Sequence, residues 1–180
     1  MFDFDSYIRL LREDPKTIVL PEGTDPRVIE AASRLLAGNF LQPILIGEED
    51  AVWEAAQEAG YNIRGAKILT PSTYEKMDEM VEQFCEIRAK KGMTQEKARE
   101  ILKDPNYFGT MLIKMGEYDS LLGGVMHSVI DTIKPALEII GTKEGNNLVS
   151  SCIGLVRPRA TGDSAVSYTH LRAHETLANL

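Results

Sequence analysis

One arginine falls on a helix face that is otherwise apolar. The spacing predicts a helix over residues 72–90, and its apolar side chains share one face. They are Met77, Met80, Val81, Phe84 and Cys85. Arg88 continues this face, so its charge must be paired, reach water or bind an anion. The pattern alone favours an ion pair or an arginine whose head reaches water. The second interpretation is that Arg88 binds phosphate, because a guanidinium group forms bidentate hydrogen bonds with phosphate oxygens.

A second candidate is the segment between a predicted strand and the helix after it. It reads Gly123-Gly-Val-Met-His-Ser128. Ligands of open α/β sheets lie at the carboxyl ends of strands, and helix N-termini favour anions. His127, Ser128 and Lys134 are therefore candidates for holding an anion. The simpler interpretations stay open: the glycines make a turn, Ser128 caps the helix, His127 is structural and Lys134 is solvated.

Other constellations carry no prediction. His170 and His174 have the i, i+4 spacing of helical metal ligands but no third partner, so we expect no metal. Cys85 and Cys152, the two cysteines, are too few for a disulfide framework or a thiolate zinc site. No phosphate-binding P-loop, dinucleotide fingerprint or nucleophile elbow occurs.

The elements that must position these residues alternate between strand and helix. Strands are predicted at 17–20, 43–46, 66–69, 120–122 and from 148. Asp25 with Pro26, Thr94 and Ser128 are predicted to begin helices, and Ser72 with Glu75 to form a capping box. In the first of these helices we expect a buried face. Its members are Val28, Ala31, Ala32, Leu35 and Leu36. This alternation predicts an α/β fold with a mostly parallel sheet flanked by helices.

Composition excludes several classes of protein. A net charge of −7 argues against a nucleic-acid surface, which requires a basic face. No apolar run reaches the roughly 20 residues of a membrane helix. The N-terminus carries acids where a signal peptide carries bases. We therefore expect a cytoplasmic protein without a nucleic-acid or membrane partner.

The last part of the chain departs from this alternation. Residues 156–163 have no clear period, and residues 167–180 are compatible only with a weak helix. The expected organisation is an N-terminal α/β domain at 1–145 and the beginning of a second α/β domain at 146–152. Residues 153–180 are then a tail that resembles translated adapter sequence.

Two blocks resemble the phosphate acetyltransferase (phosphotransacetylase) family. The first is KTIVLPEGTDPRVIEAA at 16–32, and the second runs from EIRAKKGMT at 86 through MHSVIDTIKPALEIIGTKEG to 145. This resemblance implies exchange of an acetyl group between acetyl-CoA and phosphate, giving acetyl phosphate. It also implies coenzyme A as a substrate, no metal or bound cofactor, and a homodimer for the full-length protein.

The resemblance assigns the candidate residues to one side of a phosphate site. Arg88 matches the arginine of the family's R-x-x-K-G motif, which makes the phosphate interpretation the favoured one. His127 and Ser128 match the loop before the family's P-A-L helix. Lys134 stands where the family usually has an arginine, so it keeps the charge but loses the planar fork.

The resemblance also implies that the family's catalytic serine, arginine and base aspartate lie beyond residue 152. No catalytic residue is therefore assignable here, and we expect this chain to be an enzyme fragment without turnover. Three alternatives stay open: a phosphate butyryltransferase, a non-catalytic module that binds phosphate or acyl ligands, and a subunit completed by a separate chain.

Overall fold

The computed structural model describes residues 4–143, 145, 151–157 and 164–171, the last two stretches as backbone. Leu11–Gly141 forms one compact unit. The described residues before and after it belong to a second unit.

The described elements begin with alternating helices and strands. They are α1 (Phe4–Glu13), β1 (Lys16–Leu20), α2 (Pro26–Gly38), β2 (Leu41–Ile46), α3 (Glu49–Ala59) and β3 (Lys67–Leu69). There follow α4 (Met77–Ile87), α5 (Gln95–Ile101), α6 (Pro105–Lys114), β4 (Ser120–Leu121) and α7 (Val129–Ile139). Single 3-10 turns cover Pro71–Thr73 and Ala89–Lys91. The last described elements are β5 (Ser151–Arg157) and β6 (Ser164–Leu171).

The first four strands form one parallel sheet in the order β3-β2-β1-β4. Val19 of β1 is paired with Ile44 of β2 and with Leu121 of β4. The sheet runs outward from β1 to β3, and the chain then returns to place β4 on the other side of β1. The predicted α/β fold with a parallel sheet is confirmed. The order reverses between β1 and β4, which is where open α/β sheets form ligand crevices.

Helices cover both faces of this sheet because side chains alternate along each strand. One face buries Val19, Ile44 and Ile46. Against it pack side chains from α4 to α7: Met80, Val81, Phe84, Ala98, Leu102, Phe108, Met111, Leu112 and Ile139. The other face buries Leu20 and Leu45. Against it pack side chains of α2 and α3 and of the loop after α3: Val28, Ile29, Ala32, Val52, Ala56 and Ile63.

Local signals place three helix starts correctly. The Asp25 carboxylate accepts a hydrogen bond from Arg27 N, and Pro26 occupies the first turn of α2. Thr94 Oγ accepts from Lys97 N at the start of α5. Ser128 forms a capping box with Asp131 at the start of α7. These side chains satisfy amides that have no partner inside the helix.

The predicted capping box of Ser72 and Glu75 is wrong. Ser72 lies in the 3-10 turn, and α4 begins only at Met77. The intervening Tyr74 has extended backbone angles (φ −67°, ψ 123°), which a continuous helix excludes. Its ring packs edge-on against Phe108 with centroids 5.2 Å apart. The interruption of the predicted helix at Tyr74 therefore coincides with a tertiary contact to α6. The S-x-x-E motif did not predict this interruption.

The predicted buried face of α2 is also partly wrong. Ala31 is exposed, whereas Ile29, which was not included, is fully buried. Leu35 and Leu36 are half-buried. The buried face is therefore rotated toward Ile29 and Val28, where the sheet and α3 meet.

The described part of the second unit contains a β-hairpin. β5 and β6 are antiparallel, with Gly154 opposite Ser167 and a register shift between Ser151 and Ile153. The weak helix expected from residue 167 is therefore wrong through Leu171, because the backbone pairs with β5. The strand expected at 148–150 and residues 172–180 lie outside the described residues. His170 lies in β6, where helical i, i+4 spacing does not apply.

Candidate functional site

The loops that follow β1 and β4 meet at the point where the strand order reverses. The first loop contains Glu22, two residues after β1 ends. The second loop runs from residue 122 to Ser128, at the start of α7. Gly123 lies against the first loop: a Cβ there would be 3.5 Å from Pro21 Cγ and 3.2 Å from Asn106 Oδ1. The lack of a side chain relieves the tight approach to Asn106, whereas 3.5 Å to Pro21 is an ordinary contact.

The Glu22 carboxylate joins the two loops. Its Oε2 accepts from Val125 N at 2.9 Å, and its Oε1 accepts from Met126 N at 2.6 Å and from His127 N at 3.1 Å. The same Oε1 lies 2.9 Å from His127 Nδ1. The Glu22 side chain is 1% exposed. Three successive backbone donors of the second loop are therefore occupied by an internal anion.

The ionisation of Glu22 follows from these contacts. Burial acts to raise the pKa of its carboxyl group. The amides of Met126 and Val125, with the ring and amide of His127, favour the charged form and lower the pKa overall. Glu22 is consequently ionised at neutral pH and acts only as an acceptor.

Arg27 and Asp25 border the same loop. Arg27 Nη2 donates to Val125 O at 3.3 Å, and its Nε and Nη2 donate to the two oxygens of Asp25 at 2.9 and 2.8 Å. The Arg27 guanidinium lowers the pKa of the Asp25 carboxyl against the opposing effect of burial. The positive charge of Arg27 is thus largely matched by Asp25.

Ser128 is engaged in the capping box. Its Oγ donates to Asp131 Oδ2 at 2.7 Å, and Asp131 N donates to Ser128 Oγ at 3.3 Å. The hydrogen bond from the Ser128 hydroxyl lowers the pKa of Asp131, and the Ser128 amide adds to this effect. The capping interpretation of Ser128 therefore holds locally, and an acid stands at the positive end of α7.

Arg88 lies in a different group of side chains. It is the residue at which α4 ends, and its Nη2 is 3.1 Å from Glu138 Oε1 on α7. Glu138 Oε2 accepts from the Tyr107 hydroxyl of α6 at 2.7 Å. Burial, followed by the hydrogen bond to Glu138, raises the pKa of Tyr107. Arg88 Nε is buried and has no hydrogen-bond partner among the described residues.

The ion pair of Arg88 is the arrangement that the helix pattern alone favoured. The Arg88 and Glu138 side chains are only 20% and 23% exposed, so each charge benefits from the other. One carboxylate does not exhaust the five N–H donors of a guanidinium. The pair is therefore compatible with a further anion on Arg88, which stays a prediction.

The four predicted residues do not converge on one point: three lie at the start or in the middle of α7, and Arg88 lies at the end of α4 beside it. His127 and Ser128 are at the start of α7, Lys134 is exposed in its middle, and Arg88 contacts Glu138 near its end. Ser128 and Glu138 are ten residues apart, which corresponds to about 15 Å along a helix. A single phosphate ion is too small to contact both ends.

Sequence reasoning missed Glu22, Glu138 and Tyr107. The partners of Glu22 are 103 to 105 residues away in the chain, and Tyr107 is 31 residues from Glu138. No spacing rule connects residues so far apart. The available signal was an acid two residues after a buried strand, in Pro21-Glu-Gly23, at the edge where ligands bind.

Comparison with known proteins identifies the family. The sequence profile described as Phosphate acetyl/butaryl transferase matches residues 4–174. This chain belongs to that family. The match includes residues 153–174, which the sequence analysis placed in a tail outside the family. The predicted domain limits at 145 and 152 stay a prediction.

Relatives and solved structures agree with the family assignment. The chain is 46% identical over 140 residues to phosphate acetyltransferase of Bacillus subtilis (strain 168), covering 78% of this chain and 43% of the relative. It is 40% identical over 154 residues to that of Acetivibrio thermocellus, covering 86% and 46%. The EutD phosphotransacetylase structure from Staphylococcus aureus has a TM-score of 0.74 and 36% identity, covering 92% of this chain and 50% of that one. A phosphotransacetylase from Streptococcus pyogenes gives a TM-score of 0.74 and 37% identity, covering 91% and 51%.

The chain thus spans about half the length of the phosphate acetyltransferases it matches. Among the residues described by the structure, no helix has the length and apolarity needed to cross a bilayer. No group of three or more metal-binding side chains occurs among them either.

Proposed function

We propose that this chain supplies the N-terminal part of a phosphate acetyltransferase. In this reaction the acetyl group passes from acetyl-CoA to phosphate, giving acetyl phosphate and coenzyme A, or passes in the reverse direction. The observation that carries this proposal is the family match over residues 4–174. The relatives named above are phosphate acetyltransferases, which favours acetyl transfer over butyryl transfer and over a non-catalytic module.

Arg88, His127, Ser128 and Lys134 are the proposed phosphate-binding residues. The groups at the start of α7 and beside Glu138 are about 15 Å apart along the helix axis. Two separated groups fit this chemistry, because coenzyme A itself carries phosphate groups besides the phosphate that reacts. Arg88 offers guanidinium donors beside α4, Lys134 offers an exposed ammonium, and His127 offers its ring at the crevice. Ser128 supports the site through the start of α7, since its hydroxyl is bonded to Asp131.

The activity is tested in a chimera. The part of Bacillus subtilis phosphate acetyltransferase that matches this chain over 140 residues is replaced by the corresponding residues of this chain. Release of coenzyme A thiol from acetyl-CoA is then measured as a function of phosphate concentration. We expect phosphate-dependent release within about tenfold of the parent enzyme, which corresponds to a change of about 1.4 kcal/mol in the barrier.

A matched assay with butyryl-CoA tests the acyl group. We expect a lower kcat/KM for butyryl-CoA than for acetyl-CoA. A folded chimera that releases no thiol with either substrate would contradict the proposal. Higher kcat/KM with butyryl-CoA would replace it with the phosphate butyryltransferase alternative.

The cytoplasmic location and the homodimer remain parts of this proposal. The location is supported by the acidic composition and by the absence of a spanning helix among the described residues. The homodimer comes from the family resemblance alone. Light scattering of the chimera measures its mass, and a monomer would contradict the dimer.

A further inference from the structure

Glu22 places a buried carboxylate under the loop that carries His127. Both carboxylate oxygens are used, one by Val125 N and the other by Met126 N and His127. Burying an anion is unfavourable unless several hydrogen bonds compensate it. The four contacts provide that compensation and fix the backbone of residues 125–127.

The contact with the imidazole fixes the position of its proton. An ionised carboxylate only accepts hydrogen bonds, so His127 Nδ1, which is 2.9 Å from Glu22 Oε1, must carry hydrogen. The other ring nitrogen is then an acceptor in neutral imidazole and a donor in imidazolium. The carboxylate orients the ring as well, because one nitrogen points inward.

His127 Nε2 is available to a ligand. The His127 side chain is 34% exposed. Nε2 is not among the buried side-chain atoms that lack a partner, and no hydrogen bond to it occurs among the described residues. A ring held at Nδ1 with an accessible Nε2 is suited to contacting a bound group, as in histidines oriented by a carboxylate elsewhere.

We propose that Glu22 is a positioning residue of the phosphate site. It holds His127 with Nδ1–H toward the protein, so that Nε2 faces the crevice between the β1 and β4 loops and, in the imidazolium form, donates to a phosphate oxygen. The phosphate comes from inorganic phosphate or from a phosphate group of coenzyme A. The identity of the ligand as a phosphate rests on the proposed function. The orientation of His127 does not depend on acetyl transfer.

The test uses nitrogen NMR of the histidine rings in the complete 180-residue chain at pH 8, above the ordinary imidazole pKa of about 6.5. The chain has three histidines, and His127→Gln assigns the signal of His127. We expect its protonated nitrogen to be Nδ1. Titration with inorganic phosphate at pH 6, below that ordinary value, should shift the Nε2 signal, and a separate titration with coenzyme A distinguishes the two sources.

Glu22→Gln is the decisive variant. Glutamine has the same shape but no charge, so the Nε2–H tautomer should become populated at pH 8. At pH 6 phosphate should bind about tenfold more weakly at His127, because the imidazolium that donates to it has lost its paired carboxylate. Asp119→Asn is the matched control, because Asp119 Oδ2 accepts from Thr17 N at 2.8 Å and from Thr17 Oγ at 2.6 Å, away from His127. The control should leave the tautomer and the phosphate shift unchanged.

Each result decides a separate claim. An Nε2–H tautomer in the unsubstituted chain, or an unchanged tautomer in Glu22→Gln, overturns the positioning role. An Nδ1–H tautomer without any shift from either phosphate source overturns the ligand assignment. If Glu22→Gln does not fold, the tautomer and the two titrations of the unsubstituted chain still decide both claims. An inactive chimera would instead contradict acetyl transfer.

Discussion

At the scale of single residues, Arg88 has two roles that substitutions separate. Its guanidinium is paired with Glu138, and it is also the proposed phosphate ligand. In the chimera, Arg88→Ala should raise the KM for phosphate about tenfold, because a charge-assisted hydrogen bond contributes about 1.5–3 kcal/mol. Glu138→Gln should lower stability and leave that KM within about twofold.

The control for Arg88 is Arg99→Ala, which removes an arginine from an exposed pair with Asp78. Exposed pairs contribute little, so both stability and KM should stay nearly unchanged. If Arg88→Ala and Glu138→Gln lower stability alike and neither changes the KM for phosphate, Arg88 is only an ion-pair residue.

The Tyr107 hydroxyl makes the stability of the folded protein depend on pH in the alkaline range. Burial and the hydrogen bond to Glu138 raise the pKa of Tyr107, so the folded state favours the neutral phenol. Its contribution is complete below the unfolded tyrosine pKa of about 10 and declines as pH rises beyond that value. Tyr107→Phe should lower the free energy of unfolding by about 1 kcal/mol at pH 8.

Urea unfolding between pH 8 and 11 measures this dependence. Tyr107→Phe should lose less stability over that range than the unsubstituted chain. Some loss should remain, because burial raises the pKa of Tyr74 and the hydrogen bond to Glu30 raises that of Tyr61. Parallel pH profiles of the two proteins would refute the role of the hydroxyl.

At the scale of elements, helix caps should contribute measurably because they satisfy amides without an intrahelical partner. Asp104 caps α6, accepting from Asn106 N at 2.8 Å and from Tyr107 N at 3.1 Å. Asp104→Ala should therefore lower the free energy of unfolding by about 1 kcal/mol. Asp104→Asn, which retains the accepting oxygen, should lose less. Chemical denaturation at pH 7 distinguishes them, and equal stability of all three proteins would contradict a capping role.

Caps also show which elements the sequence predicts. Asp25, Thr94 and Ser128 were identified because their partners lie two or three residues away. The Ser72 and Glu75 motif failed because the extended backbone at Tyr74 interrupts the helix, next to a ring contact with α6. Local chemistry therefore predicts helix starts until a tertiary contact competes with it.

The candidate site was predicted in part for the same reason. The loop before α7 was identified from a strand, two glycines and a cap, all within nine residues. Its organisation by Glu22 depends on the β1 and β4 strands being neighbours, which the chain order 1-2-3-4 does not reveal. Arg88 was identified from helical spacing. Its partner on α7 could not be identified in this way, because the pair forms only when three helices pack together.

At the scale of the whole molecule, exposed apolar side chains are concentrated around the loop before α7 and the first turns of that helix. Among the described residues, the exposed apolar side chains of this region have exposed fractions between 38% and 69%. They are Leu122, Val125, Met126, Val129, Ile130 and Ile133. Exposed apolar side chains of this number promote association of partly folded chains. We therefore expect the 180-residue chain to bind hydrophobic dyes and to aggregate on warming.

A double substitution tests whether this surface causes the aggregation. Met126 and Val129 are 67% and 69% exposed, so Met126→Gln with Val129→Glu changes the surface and leaves the core intact. The glutamate also lies in the first turn of α7, where a negative charge is favourable. Light scattering during a thermal ramp should show a higher aggregation temperature, and dye fluorescence should show less dye binding.

The control, Leu10→Gln with Ile140→Gln, replaces side chains that are 60% and 50% exposed and are not among these six residues. An equal gain in the control would assign the aggregation to general surface apolarity, and a sharp reversible melt of the unsubstituted chain would contradict the expectation itself.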